Sequence, residues 1–207
     1  MTDTDRKHHW EHVYQTKTRE QVSWFREHLE ISIKLILGTG VGKDAAIIDV
    51  GGGNSTLTDD LLDLGFVDVS VLDISGRAID DSRARLGTRA GRVNWIEADI
   101  TAAELPADRF DVWHDRAVFH FLTDPDDRRK YVANVKRSLR NGGHIIVASF
   151  GPEGPQKCSG LDVVRYDPDA MHDQFGKSFE LLSHVEETHE TPFGTRQEFV
   201  YCYCRKH

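Results

Sequence analysis

Between residues 45 and 150, short apolar segments alternate with amphipathic segments of helical period. The predicted strands are residues 45–50, 67–72, 92–97, 110–114 and 144–150. This alternation indicates a mainly parallel sheet with helices on both faces, because each crossover helix must pack against the sheet. Two further apolar segments, residues 179–187 and 196–204, are predicted to close the sheet as a C-terminal antiparallel hairpin. We therefore expect an α/β fold with three layers, αβα, and seven strands.

Several residues mark the expected helix boundaries. Ser75 is the predicted cap of a helix that runs to Leu86. Asp124 and Pro125 suit the start of a later helix, and Asn141-Gly142-Gly143 is predicted to end it before the fifth strand.

The first 40 residues are predicted to be helical, with one apolar face on each of two helices. These faces comprise Trp10, Val13 and Tyr14, and then Leu29, Ile33, Ile36 and Leu37. Gly38 and Gly40 are predicted to end the second helix. Because the 207 residues show no repeat and no low-complexity linker, we expect one domain. It would comprise a helical part (1–40), a core (45–150) and an insertion with the closing hairpin (151–207).

The net charge of −8 argues against a nucleic-acid partner, since phosphate binding requires clustered Lys and Arg. No apolar segment approaches the length of a membrane span, and residues 1–5 are too polar for a secretory signal. We therefore expect a cytoplasmic protein without a membrane partner, as a monomer or a homodimer.

Cysteine and histidine spacings do not indicate a metal site. Cys202 and Cys204 lie on one side of a predicted strand, and Cys158 stands alone. His8, His9 and His12 have no carboxylate or thiol at ligand spacing, so a solvated cluster is expected there.

A glycine-rich turn, Asp49-Val50-Gly51-Gly52-Gly53-Asn54-Ser55, joins the first strand to a helix. Glycines let the backbone turn sharply and approach a ligand closely, although many such turns are only tight connections. Asp73 ends the second strand, 20 residues after Gly53, at the spacing from which a carboxylate reaches ribose hydroxyls. Asp99 follows the third strand, where it is placed to accept from an adenine amino group while Ile100 packs on the ring. Together these positions predict an adenosine site.

The details of the turn favour S-adenosylmethionine (SAM) over a dinucleotide. The third glycine of Gly-x-Gly-x-x-Gly is missing after Gly53. In addition, Asp49 would repel a pyrophosphate but attract the ammonium of an amino acid.

Residues 47–150 resemble the core of class I SAM-dependent methyltransferases, which have a Rossmann-like sheet. The resemblance rests on Asp49-Val50-Gly51-Gly52-Gly53, Leu72-Asp73-Ile74-Ser75, Ala98-Asp99-Ile100, residues 110–116 and residues 139–145. Asn54-Ser55 departs mildly from the usual end of the first motif. The resemblance implies SAM as cofactor and S-adenosylhomocysteine as its product. The implied cofactor contacts are Asp49, Gly51, Gly52, Gly53, Asn54, Asp73, Ile74, Asp99, Ile100, His114, Asp115, Trp10 and Tyr14.

The N-terminal segment resembles the part that covers the cofactor in small-molecule and lysine methyltransferases. By this analogy Trp10, Tyr14 and Trp24 contact the methionyl end or the acceptor; alternatively, these aromatic residues only pin the first helices to the core.

Residues after the fourth strand are candidates for the reaction itself. His120 is the first candidate for proton acceptance, with a structural role between Phe119 and Phe121 as the alternative. Trp24, Arg116, His120 and Arg165 are the expected substrate contacts.

The leading hypothesis is methyl transfer to a small-molecule acceptor. The loop after the fourth strand also resembles that of protein-lysine methyltransferases, so a protein lysine is the alternative acceptor. From other classes, a non-catalytic SAM-binding regulator and an NAD-dependent oxidoreductase stay open.

Overall fold

A computed structural model describes residues 3–207. Its helices are α1 (Asp3–Thr16), α2 (Glu30–Gly38), α3 (Leu57–Asp63), α4 (Gly76–Leu86), α5 (Pro125–Ser138) and α6 (Pro168–Phe175). Its strands are β1 (Ala46–Val50), β2 (Asp68–Asp73), β3 (Val93–Glu97), β4 (Phe110–Arg116), β5 (Leu139–Phe150), β6 (Lys157–Cys158), β7 (Leu161–Asp162), β8 (Phe179–Glu190) and β9 (Arg196–Lys206). In residues 3–207, no helix combines the length and the apolar character that crossing a membrane requires.

Seven strands form one sheet in the order β3-β2-β1-β4-β5-β9-β8. The strands from β1 to β5 pair in parallel, whereas β9 is antiparallel to both β5 and β8. The predicted α/β class, the seven strands and the closing hairpin are confirmed. Because β1 pairs with β2 on one side and β4 on the other, the strand order reverses at β1. Ligands of such sheets bind beyond the carboxyl ends of the strands at this point.

The sheet is buried on both faces by two apolar clusters. Ile48 and Val50 belong to the cluster with α5 and α6, whereas Ile47 belongs to the cluster with α2 and α3. All five residues of β1 are buried, as expected for the central strand of a sheet that helices cover on both sides.

Two of the predicted caps are present. The Ser75 hydroxyl accepts from the Ala78 amide at 3.1 Å, and Asp124 accepts from the Asp126 amide at 2.8 Å. The predicted end of α5 was wrong: the helix ends at Ser138, and Asn141-Gly142-Gly143 lies inside β5. The reason is that Leu139 is buried and already pairs with Phe110, and the register then shifts before Val112 pairs with His144.

The N-terminal segment forms two helices joined by irregular backbone and a short 3₁₀ turn at Arg19–Gln21. Ile36 is fully buried and α2 ends at Gly38, as predicted, but Leu37 of the predicted apolar face is 45% exposed. Only four apolar positions defined that face, and the actual helix begins one residue after Leu29. Residues 1 and 2 of the predicted helical part lie outside the described residues.

Polar contacts attach α1 to the carboxyl edge of the sheet. Glu11 accepts from the Gly76 and Arg77 amides at 2.7 and 3.3 Å, at the N-terminus of α4. Lys7 pairs with Glu97 at the end of β3 at 2.5 Å. These contacts place α1 beside the ends of β2 and β3.

A buried hydrogen-bond chain fixes the backbone that follows β4. The Tyr131 hydroxyl of α5 donates to Asp115 Oδ2 at 2.7 Å and accepts from Trp113 Nε1 at 2.9 Å. Asp115 also accepts from the amides of Val118 and Phe119. Burial raises the pKa of Asp115 to about 7, although the hydrogen bonds it accepts oppose this shift.

We expect Tyr131→Phe to lower the free energy of unfolding by about 2 kcal/mol, because two buried polar groups lose a partner that water cannot replace. For a chain of this size the melting temperature should fall by about 4–8 °C in calorimetry. Tyr203→Phe is the matched control: its hydroxyl bonds the half-exposed His144, so we expect a loss below about 0.5 kcal/mol. Equal losses in the two variants would contradict the assigned role of Tyr131.

Candidate active site

A cleft opens beyond the carboxyl ends of β1, β2, β3 and β4, with α1 as one wall. Its walls are mainly apolar with a few polar groups, as is common for small-molecule sites. Its lining residues are Arg6, Trp10, Tyr14, Trp24, Val50, Gly51, Leu72, Asp73, Ile74, Ala98, Asp99, Ile100, Arg116, Ala117, Val118, Phe121, Leu122 and Cys158. An adjoining lobe over the glycine turn is lined by Arg19, Arg26, Asp49, Gly52, Asn54 and His114, among others.

The glycine turn has no room for side chains. Gly51 has φ of +73°, a region that favours glycine, and a Cβ there would overlap Val118. A Cβ on Gly52 would overlap the carboxylate of Asp49, and one on Gly53 would crowd Asp73. The turn therefore keeps its backbone close to two carboxylates.

Asp73 ends β2 at the centre of the cleft. Its Oδ2 accepts from the Gly53 amide and its Oδ1 from the Ser75 amide, both at 2.9 Å. Burial raises the pKa of Asp73 to about 6, and these two amides hold it below the value that burial alone would give. Ile74, a predicted cofactor contact, also lines the cleft.

Asp99 and Ile100, the predicted adenine contacts, line the end of the cleft near β3. The Asp99 carboxylate already has partners: Arg6 Nε donates to Oδ2 at 2.8 Å, and Thr101 donates to Oδ1. Arg6 also pairs with Asp127 at 2.6 Å. Sequence reasoning missed Arg6, because nothing in the polar first turn of α1 distinguishes it from its neighbours.

Asp49 and His114 lie in the adjoining lobe as a buried pair. His114 Nδ1 is 2.7 Å from Asp49 Oδ1, and His114 Nε2 is 2.8 Å from the Ser32 hydroxyl of α2. The second oxygen of Asp49, Oδ2, is buried and has no hydrogen-bond partner.

Aromatic rings cover the cleft on the α1 side. The ring of Trp10 lies 5.0 Å from Phe121, 5.9 Å from Trp24 and 6.2 Å from Tyr14, measured between centroids. All four residues line the cleft. Burial raises the pKa of Tyr14 well above its ordinary value, so its hydroxyl stays protonated.

Arg116 lies at the junction of the cleft and its lobe. Its Nε donates to the Tyr201 hydroxyl and its Nη1 to the Trp24 carbonyl, both at 3.1 Å. Glu187 Oε2 is 3.6 Å from Nη2. The guanidinium thus faces the site while protein groups fix its orientation.

Four predicted site residues line neither the cleft nor its lobe: Gly53, Asp115, His120 and Arg165. Both Asp115 oxygens face protein donors behind the cleft, because the loop after β4 turns back over this carboxylate. His120 is fully buried between Phe121 and Phe150, and burial lowers its pKa to about 3. This burial favours the packing role that was the alternative to proton acceptance. Arg165 donates to the carbonyls of Pro152 and Gly154 and holds that loop instead of facing the cleft.

No group of three or more His, Cys, Asp or Glu side chains in the described part of the chain is arranged to hold a metal. Cys202 and Cys204 are free and buried, with their sulfurs 3.3 Å apart on one side of β9.

Comparison with known proteins identifies a domain and a relative. A family model described as a methyltransferase domain matches residues 47–143. The eEF1A lysine and N-terminal methyltransferase of Bos taurus is 28% identical over 148 residues, or 69% of this chain. The chain spans 21% of the length of that relative.

Two solved structures share the fold over nearly the whole chain. One concerns the conversion of a disulfide bond into a thioacetal group during echinomycin biosynthesis; it has a TM-score of 0.79 at 18% identity and covers 97% of this chain and 92% of its own. The other is the Burkholderia thailandensis 1,6-didemethyltoxoflavin-N1-methyltransferase with bound S-adenosylhomocysteine, with a TM-score of 0.70 at 17% identity, 98% of this chain and 84% of its own. The match to a methyltransferase domain covers the residues that build the glycine turn and the acidic strand ends, so this part of the chain is similar to SAM-dependent methyltransferases.

Proposed function

We propose that this protein transfers the methyl group of SAM to a small-molecule acceptor. One observation carries the proposal: three neighbouring parallel strands each place a carboxylate at the same edge of the sheet. These are Asp49 in β1, Asp73 at the end of β2 and Asp99 after β3, and the three glycines after β1 leave space beside them. Their order along the cleft matches the ammonium, ribose and adenine of one extended ligand.

The residues fit this ligand chemically. The unpartnered oxygen of Asp49 supplies an acceptor for the ammonium, and the bare Gly52 leaves the space beside it. Asp73 retains lone pairs for the ribose hydroxyls after accepting two amides. Asp99 is held in place by Arg6, and Ile100 offers an apolar surface to the adenine ring. Gly51, Gly53, Asn54 and Ile74 complete the proposed cofactor contacts.

SAM supplies an activated methyl group, so the protein contributes mainly orientation and exclusion of water. Trp10, Tyr14 and Trp24 serve this purpose in the proposal, because their rings cover the α1 side of the cleft. Arg116 is the proposed acceptor contact, since its guanidinium reaches both the cleft and the lobe. His120 is too deeply buried to accept the acceptor's proton, and His114 has both nitrogens engaged. We infer an acceptor atom that is already nucleophilic or that loses its proton to solvent.

The size of the acceptor distinguishes the leading proposal from the alternative. A cleft covered by four aromatic rings on its α1 side favours a small molecule, and the didemethyltoxoflavin methyltransferase, which shares the fold, acts on one. A protein lysine is the second candidate, because the Bos taurus relative modifies lysine and N-terminal groups.

A binding and turnover experiment tests the proposal. We expect SAM and S-adenosylhomocysteine to bind in calorimetry, NAD not to bind, and methyl label from SAM to appear in the low-molecular-mass fraction of a cell extract. Label confined to the protein fraction would favour the lysine alternative. Binding of SAM without turnover in either fraction would favour a regulator, and binding of NAD alone would overturn the proposal.

We expect Asp73→Asn to weaken S-adenosylhomocysteine binding by about 10- to 100-fold, because a charged acceptor for the ribose hydroxyls is lost. Asp68→Asn is the matched control at the other end of the same strand, where the half-exposed carboxylate pairs with Arg109. Its binding constant should stay within about twofold of wild type, since a surface pair contributes little. A comparable loss in both variants would indicate general damage to β2 instead of a ribose contact.

Affinity for S-adenosylhomocysteine should rise with pH through about 6. The carboxylate form of Asp73 binds the ribose, and its pKa in the free protein is raised to about 6, so protonation competes with the ligand below that pH. Between about pH 8 and pH 5 the binding constant should fall by about tenfold. Asp73→Asn should remove the step near pH 6; if the step persists in that variant, another group causes it.

A further inference from the structure

Behind the glycine turn, three buried side chains form one polar chain from the lobe into α2. Asp49, His114 and Ser32 are 2%, 1% and 0% exposed. The distances are 2.7 Å from Asp49 Oδ1 to His114 Nδ1 and 2.8 Å from His114 Nε2 to the Ser32 hydroxyl. Buried polar groups are stable only with partners, so each member depends on the next.

The backbone places these residues together. Asp49 of β1 and His114 of β4 are register partners across parallel strands, so their side chains leave the sheet on the same side. Ser32 lies in α2, which packs on this face, and it reaches the imidazole from the opposite direction.

The proton order in the chain follows from the chemistry of its ends. An ionised carboxylate only accepts hydrogen bonds, so with a neutral imidazole Nδ1–H donates to Asp49. Nε2 then has no proton and accepts from the Ser32 hydroxyl. The Ser32 hydroxyl therefore satisfies Nε2, the Nδ1–H satisfies Asp49 Oδ1, and neither donor reaches Oδ2.

The other carboxylate oxygen is the exception in this network. Asp49 Oδ2 has no partner, and it faces the space beside Gly52 where a Cβ would overlap it. Asp49, Gly52 and His114 all line the lobe. A buried carboxylate oxygen held without a donor calls for a cationic or hydrogen-bonding ligand group at that point.

We propose that His114 is a positioning residue that, backed by Ser32, holds Asp49 so that Oδ2 receives the ammonium of the methyl donor. The inference rests on the proposed function, because it requires a ligand with an amino-acid end. His114 acts through Asp49 and has no free nitrogen for the ligand itself. By this route the position of α2 controls the affinity for the ammonium.

The test compares two ligands by calorimetry. They are S-adenosylhomocysteine and 4-(5′-adenosylthio)butyrate, which retains every group except the ammonium. We expect wild type to bind the desamino ligand about 10- to 100-fold more weakly. Asp49→Asn and His114→Phe should each weaken S-adenosylhomocysteine binding by a similar factor and leave the desamino ligand within about threefold of wild type. The double variant should lose little more than either single variant, because the two residues act on one contact.

Two further variants separate positioning from stability. His114→Asn keeps a donor near Asp49 Oδ1 and should recover most of the binding lost in His114→Phe. Ser32→Ala, far from the ligand, should weaken S-adenosylhomocysteine selectively by about threefold. Ser149→Ala is its matched control, since this fully buried hydroxyl has no partner, and it should bind both ligands as wild type does.

The proposal is overturned if wild type binds both ligands equally, if His114→Phe weakens both ligands by the same factor, or if its effect adds fully to that of Asp49→Asn. If His114→Phe does not fold, the selective loss in Ser32→Ala decides. Absence of S-adenosylhomocysteine binding in wild type would instead overturn the proposed function on which this inference rests.

Discussion

The pairing of β1 between β2 and β4 is the constraint on which the rest of the molecule depends. It brings the carboxyl ends of three buried strands to one crevice and buries β1 completely. The carboxylate of Asp49 thereby lies beside His114, and the turn after Val50 lies beside Asp73. The sheet itself removes the carboxylates of Asp49 and Asp73 from water, so each must find a partner in the protein or in a ligand.

The partners come from two directions. On the glycine side, the backbone amides of Gly53 and Ser75 stabilise Asp73. A ligand can donate further hydrogen bonds to this carboxylate while both amide bonds stay in place. On the α1 side, Arg6 stabilises the charge of Asp99, a partly buried carboxylate beside apolar Ile100. Asp49 differs from both, because only one of its oxygens is satisfied by the protein.

The sequence predicted those features that are local or periodic. Strand alternation predicted the αβα sheet, and residue type at strand ends predicted the acidic edge and the resemblance to methyltransferases, which the structure and the comparisons confirm. The cap at Ser75 was also visible, since it needs only a hydroxyl three residues before its donor. The Asn-Gly-Gly segment after α5 led to the wrong prediction of the helix end. Burial of Leu139 against Phe110 outweighs the local tendency of Asn-Gly-Gly to end a helix.

Contacts between segments that lie far apart in the sequence could not be predicted from it. Ser32 and His114 are 82 positions apart, and Arg6 and Asp99 are 93 apart, so no spacing rule connects them. His120 is the opposite case. Its residue type suggested proton acceptance, but Phe121 and Phe150 enclose it, and this packing could not be predicted from the sequence.

The ion pairs that attach α1 to the sheet affect how fast a ligand enters and leaves the cleft. Because α1 is one wall of the cleft, a ligand as long as the cleft enters or leaves most easily when this helix moves. Ion pairs of Arg6 and Lys7 resist such movement at its start, and the Lys7–Glu97 pair is half exposed, so dissolved salt can screen it. Ionic strength is therefore expected to act on the residence time of the ligand more than on the contacts that recognise it. The same residues that shape the cleft also set how long it stays closed.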